Sequence, residues 1–457
     1  MDEVSNRESE NPILIGPYWP VFFRYALPSV AGLLALTTAN IVDGIFIGNF
    51  AGAEALAALN LLIPWFTFLF GIALALAIGG TVRAGRYLGE GRPDAASSMF
   101  SKCLMATLAL SLTGAVAGLL FHEPIYRLLG ASADIYPLMS EYFLVIIWVL
   151  VPQLFTMVLY YFVRVDGFPG LATTALVVGA GANILLDALL VGYLDYGLRG
   201  AAVATGLAQI LQFAVLARYF RKAGRKLMFQ FRQTNWREVP RAFGNGVSEW
   251  INEMSVGLVM LLINWLLITT QGVAGVAAFT VVNYLIFLSL MMFYGISDAM
   301  HVLISHNLGA GNARRIRGFM GRGAAIILAL AVSLVVTAWL FGNQVVRLFL
   351  DTSADPATAR LADQFLEILW PLFLVNGMNV LLSVYLTAMH KAMPSALVAF
   401  SRSLVLPALL LIAIARFAPD WPLLVALPLG EWLTFGLAVA LFLRFRPHRV
   451  VAASAQV

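Results

Sequence analysis

The 457-residue chain has one cysteine, Cys103, which excludes an intrachain disulfide and a multi-cysteine metal centre. Its five histidines, His122, His301, His306, His390 and His448, are scattered, and no HExxH, GxSxG or paired metal spacing accompanies them. Zinc-dependent and nucleophilic hydrolysis are therefore unsupported, and the absence of a P-loop removes an ATPase, so the chain is not expected to be an enzyme. Charge is scarce too: 12% of residues are charged, about half the share of a soluble domain. The opening MDEVSNRESENP has no basic segment before an apolar run, so residues 1–17 are expected to be a cytoplasmic tail and not a cleaved signal.

What abounds is hydrocarbon. Hydrophobic residues make up 61% of the chain, more than a soluble protein of this length could hide. Apolar runs of about twenty residues or more lie near 20–46, 55–80, 99–121, 138–163, 170–193 and 198–221. After a charged break, six more follow near 244–269, 274–300, 321–342, 362–388, 394–417 and 422–445. The runs are continuously apolar rather than alternating, so helices are expected and not a barrel. With both termini inside, about 23 of the 29 Lys and Arg fall on the inner side. Five (Arg127, Arg199, Arg347, Arg360, Arg416) fall outside, and Arg402 lies within a span. That asymmetry predicts a multi-pass protein of the cell inner membrane with cytoplasmic termini. It also accounts for the net charge of +5 without a nucleic-acid partner.

The chain resembles itself. AGAEALAAL at 51–59 aligns with QGVAGVAAF at 271–279, and LGEG at 88–91 with LGAG at 308–311, both 220 residues apart. LLFHEPIYRLLGASAD (119–134) matches WLFGNQVVRLFLDTSAD (339–355) with one inserted residue. Pro152 pairs with Pro371 and Pro169 with Pro394. The expected architecture is an all-α polytopic membrane protein of twelve transmembrane helices in two six-helix bundles. An N-terminal lobe (18–222) is followed by a basic cytoplasmic linker (223–242), a C-terminal lobe (243–446) and a tail (447–457). Six is even, so the repeat is parallel, about an axis along the membrane normal. The LGEG and LGAG glycines suit tight turns and not a phosphate cradle.

ALPSV entering the first helix, the junction NIVDGIFIGNFAGAEALAALNLLIPW and the LGEG and LGAG loops resemble the multidrug and toxic compound extrusion (MATE) family. The likeness runs from about residue 17 to 445. A more distant likeness is to the polysaccharide-lipid flippases of the same superfamily. Prokaryotic members near the DNA-damage-inducible branch are similar in carrying an Asp in the first helix and Asn-x-x-x-Asp in the fifth. Here Asp43 and NILLD, Asn183 to Asp187, match them. The resemblance implies a MATE-like fold and an antiporter that exports amphipathic, often cationic, small molecules by alternating access, in exchange for protons or sodium ions. It implies no cofactor beyond the transported H+ or Na+. The alternative it implies is a flippase or exporter of a lipid-linked sugar or a specific metabolite.

The residues make a case of their own. Asp43 ends more than twenty mostly apolar residues with no Lys or Arg within a helical turn, and an acid there is a functional hypothesis by default. Asn183 and Asp187 are i,i+4 neighbours on one face. By distance from the span ends, these three and Thr205 share the outer half of the first bundle. Two carboxylates, an amide and a hydroxyl at one depth suit a hard monovalent cation, so all four would be the metal ligands if the ion is sodium. They suit a proton equally, since two carboxylates in low dielectric do not both stay ionised cheaply. The reading left open for each is a loop-edge acid for Asp43, a buried partner within its bundle for Asp187, and a backbone-bonded hydroxyl for Thr205.

In the second half, Glu249 and Glu253 are i,i+4 on span 7, Asp298 ends span 8 and Arg402 opens span 11. They read either as a substrate site or cytoplasmic gate, or as ion pairs locking the bundle. In other branches of the resembled family an acid of the seventh helix is functional, which singles out Glu253. Asn376, Asn379, Gln209 and Gln212 are cavity candidates because amides in lipid need partners. Tyr160 and other aromatics would attract flat cations. Pro28, in the helix of Asp43, allows a bend. The chain builds its own two-bundle cavity, so a monomer in a lipid bilayer with a small amphipathic substrate is expected.

Overall fold

A computed structural model of the chain describes residues 11–349 and 356–454, and every regular element among them is helical. The last residues of the third repeat pairing (350–355) and most of the N-terminal tail lie outside the described residues. In the first half the spans are α1 (Tyr18–Phe46), α2 (Ala53–Gly89), α3 (Pro93–Leu120), α4 (Tyr136–Val165), α5 (Pro169–Asp187) and α6 (Gly197–Leu216). The run Glu238–Gly309 is 72 residues long. At 1.5 Å per residue it would be more than three times the hydrocarbon thickness of about 30 Å. Gly272, at φ 68° and ψ −160°, breaks it into α7 (238–271) and α8 (273–309). Then come α9 (Ala313–Phe349), α10 (Pro356–Ala388), α11 (Ala392–Phe417) and α12 (Ala426–Arg444).

Several helices outrun the apolar stretches that announced them. Span 2 was expected to end near 80 and span 3 to start near 99, whereas α2 runs to Gly89 and α3 starts at Pro93. Hydropathy marks only the part of a helix that lies in hydrocarbon. The ends here project beyond it, where RAGRYLGEGRPD can meet water.

The repeat is visible in the turns. After α2, Gly91 takes φ 72°, Arg92 N–H donates to the Tyr87 carbonyl at 2.8 Å and Gly91 N–H to that of Leu88 at 3.2 Å. After α8, Gly311 takes φ 69°, Asn312 N–H donates to the Asn307 carbonyl at 2.8 Å and Gly311 N–H to that of Leu308 at 3.1 Å. Both are left-handed helix stops that satisfy the last carbonyls. After α4 and α10 the plan recurs with one change. Gly167 (φ 98°) terminates α4, whereas His390 (φ 56°) holds the left-handed position after α10.

The chain divides into two compact units, one ending at Trp250 and the next starting at Ile251. Each has its own core: Tyr126, Phe143 and Ile147 among others in the first, Phe279, Phe365 and Leu369 in the second. Outward faces are apolar as well. Leu185, Leu261, Trp265 and Leu409 are mostly exposed, as a surface meeting lipid requires.

The basic linker is strapped down. Ser97 and Ser101, one turn apart on α3, accept hydrogen bonds from Met228 N–H at 3.0 Å and Gln230 N–H at 2.8 Å. Asp166, in the α4–α5 turn, accepts from the Tyr219 hydroxyl at 2.6 Å and from the amides of Lys226 and Leu227. Burial pushes the Asp166 carboxyl up, while those donors pull it back. Where the strap becomes α7, Glu238 accepts from buried Lys102 at 2.6 Å and from Tyr87 at 2.8 Å.

Two outcomes follow. Gly167→Ala forces an L-residue into the left-handed region and is expected to cost about 1 kcal/mol, whereas His390→Gly should not lower the thermal midpoint in detergent. Asp166→Ala orphans buried donors, at about 1–3 kcal/mol. It should open residues 222–237 to limited proteolysis, and unchanged digestion would show that the strap is held elsewhere.

Candidate functional site

The first unit encloses a cavity of about 310 Å3 whose wall includes Asp43 and Asn40 of α1, Asn183 of α5, and Thr205, Gln209 and Gln212 of α6. Helix α5 brings these together, since it packs against both α1 and α6. Phe66 and Phe70 of α2 and Tyr142 of α4 add aromatic rings to the wall. The volume is at the small end of the range for ligand pockets. It has room for an ion with its water or one compact organic group.

Two irregular turns frame it. A π-helical turn, Ile47–Ala51, extends α1 just beyond Asp43, and another, Ala188–Tyr193, begins immediately after Asp187. A π turn inserts one residue into the helix and re-aims the side chains beside it, and such turns are frequent at functional sites. Here both flank an acid.

Asp43 reaches the cavity, whereas Asp187 is fully buried behind it. The two carboxyl groups are within hydrogen-bonding reach of each other. Among the described residues no basic side chain acts on either of them. Oδ1 of Asp43 and both oxygens of Asp187 find no donor. Two bare carboxylates in contact repel, and a proton or a metal cation between them converts the repulsion into a bond. Asn183 Nδ2 points at Thr205 Oγ1 from 3.5 Å, a long contact.

Near the other end of α1 lies Pro28, which cannot donate to the preceding turn. Its own carbonyl accepts from Thr173 of α5 at 2.8 Å. Next to it Ser29 Oγ donates to the Tyr25 carbonyl at 2.7 Å and accepts from Arg164 of α4. Arg164 is fully buried, with the rings of Tyr160 and Tyr161 at 5.2 and 5.9 Å. Tyr160, expected near substrate, is therefore placed against a guanidinium and is not part of the cavity wall.

In the second half, Arg402 Nε lies 3.3 Å from Glu431 Oε1 of α12, and an Nη donates to the Tyr294 hydroxyl of α8 at 3.3 Å. Asn379 of α10 donates to Glu431 Oε2 at 2.6 Å. Asn376, one turn away, is also buried. Glu253 and Asp298 are half-buried in this second unit, whereas Glu249 is buried in the first. A separate recess of about 640 Å3, with Trp339, Trp370 and Glu367 in its wall, contains none of the residues singled out from the sequence.

Sequence reasoning missed Glu431, Arg164, Asn40 and Tyr142. Glu431 carried the same signal as Asp43, a lone acid in the apolar stretch Leu423–Arg444. Arg164 was hidden because it stands at a span end beside a polar turn. The π turns left no mark, since one extra apolar residue does not change an apolar run.

Several known proteins resemble this chain over nearly its full length. The multidrug export protein MepA of Staphylococcus aureus (strain MRSA252) is 23% identical over 418 residues, 90% of this chain and 91% of its own. A crystal structure of MATE in the straight conformation superimposes with a TM-score of 0.88 at 22% identity, covering 98% of this chain and 99% of that one. A MOP superfamily transporter from Pyrococcus furiosus Vc1 (DSM3638), whose binding pocket is described as having reverse polarity, gives 0.87 at 22% identity, over 96% and 98%. The family model MatE matches residues 28–189 and again 251–412, one match in each half of the repeat. Matched twice, over well more than half its length, the chain belongs to the MatE family.

Proposed function

We propose that the protein is a secondary active multidrug exporter of the cell inner membrane, with cytoplasmic termini, which exchanges protons or sodium ions for amphipathic, often cationic, small molecules. It is a transporter and not an enzyme. The observation that carries the reading is the contact between Asp43 and Asp187, with no basic side chain among the described residues acting on it. Such a pair is stable when a small cation sits in it and unstable when the cation leaves. It therefore gives the first unit two electrostatic states.

The cycle follows from that contrast. With a proton or sodium ion bound, the acids, Asn183 and Thr205 close on one another and α1 stays against α5. When the ion departs, the repulsion loosens α1, whose elbow at Pro28 permits a bend, and the negative cavity accepts a cationic substrate against Phe66, Phe70 and Tyr142. Ion and substrate compete for one charge, which is the requirement for antiport. The monomer suffices, because the cavity is built within a single unit. A phosphate-bearing lipid is the weaker reading, since Glu431 already neutralises Arg402.

Efflux of ethidium from proteoliposomes, with pH and sodium gradients imposed separately, tests this. Asp43→Asn and Asp187→Asn should each erase the ion dependence of substrate binding, a coupling of about 5- to 150-fold in the parent, while the protein still folds. Gradient-driven efflux by Asp43→Asn at the parent rate would refute the assignment.

A further inference from the structure

The segment that joins the two halves has a surface that the exchange cycle above does not use. Of the twenty residues 218–237, seven are Lys or Arg and none is Asp or Glu. The α2–α3 turn is basic too, but its charges are spent internally, with Arg86 and Arg92 at 2.7 and 3.1 Å from Glu90. On the strap Arg221, Lys222, Arg232 and Arg237 are exposed, and among the described residues none of them pairs with an acid. Asp166, which folds against the segment, is occupied by the Tyr219 hydroxyl and the amides of Lys226 and Leu227. Positive charge that merely marks a membrane side needs no apolar companion. Here it is interleaved with one: Phe231 is 84% exposed, Met228 49% and Trp236 47%.

Depth decides what those side chains meet. The strap does not hang into water, because Met228 and Gln230 donate their amides to Ser97 and Ser101 near the start of α3. Ser101 already belongs to the apolar run that begins near residue 99. Gln230 is therefore held at the level where α3 enters hydrocarbon, and Phe231 is its neighbour. Arg221 ends the short turn that follows α6, and Arg237 immediately precedes α7. Cationic groups thus stand at headgroup level at both ends of the segment. Leu227 is buried against the helices while Met228 beside it is exposed, so the bonded backbone fixes which face is turned outward. Cations with aromatic and aliphatic groups at that depth match a phosphate with acyl chains beside it. A nucleic acid would meet the cations but leave Phe231 and Met228 in water.

We propose that the strap is a binding surface for anionic phospholipid in the leaflet on its own side of the membrane. Arg221, Lys222, Arg232 and Arg237 take the phosphates, and Phe231 and Trp236 enter the interface beside them. Six spans precede the strap, so that leaflet is the one at which α1 begins. The lipid is a surface ligand and not cargo, and its binding is independent of Asp43 and Asp187.

Native mass spectrometry of the full-length protein in neutral detergent, titrated with phosphatidylglycerol or with phosphatidylcholine, tests this by counting the lipids retained. The parent should retain phosphatidylglycerol in preference. Lys222→Gln with Arg232→Gln removes two exposed charges, each worth about fivefold near an anionic surface. It should weaken phosphatidylglycerol binding about 25-fold at low salt, with the thermal midpoint and phosphatidylcholine binding unchanged. Arg314→Gln with Arg317→Gln, exposed at the start of α9, should bind phosphatidylglycerol like the parent. Equal losses from the two double variants would reduce the effect to general positive charge and overturn the proposal. Phe231→Ser should also weaken phosphatidylglycerol binding, and parent-level binding by it would overturn the placing of the strap in the interface. Glycerol phosphate, the headgroup without its chains, should fail to displace the lipid at equal concentration. Displacement by it, or by polyuridylate, would make the strap a site for soluble phosphates or nucleic acid and overturn the assignment to lipid.

Discussion

Hydrocarbon offers no hydrogen bonds, and this constraint governs the chain. Every backbone amide in a span must find its partner within the same helix, which is why the described residues form helices throughout. Departures from the pattern are accordingly informative. Pro28 loses a donor, and α4 and α5 supply side chains around it. The π turns after Asp43, after Asp187 and at Arg402 each displace the regular ladder, and each adjoins a charged residue within a span.

The same constraint explains why so much was legible. Twelve spans and the lone acids Asp43 and Asp187 stand out because charge is rare where water is absent. The duplication was readable because turns such as LGEG and LGAG need glycine at fixed places, and Gly91 and Gly311 do take left-handed conformations. Where a turn could tolerate another residue, the trace faded. His390 fills the place that Gly167 holds in the first half, and no alignment by residue type would pair them.

Other features depend on contacts between distant segments. Glu431 lies on α12, and only the folded bundle brings it within range of Arg402. The linker read as a plain basic loop, because its anchors are two serines and an aspartate more than fifty residues upstream. Composition reports what a segment is made of. It does not report which hydroxyl two helices away will accept its amides.

The strapped segment has a kinetic implication. A free tether of this length would explore many shapes, and each residue so released would carry about 1–2 kcal/mol of backbone entropy. With Lys226, Leu227, Met228 and Gln230 bonded to Asp166, Ser97 and Ser101, that disorder is surrendered once, when the polypeptide matures. Turnover can then proceed without the connecting stretch melting and refreezing on every stroke.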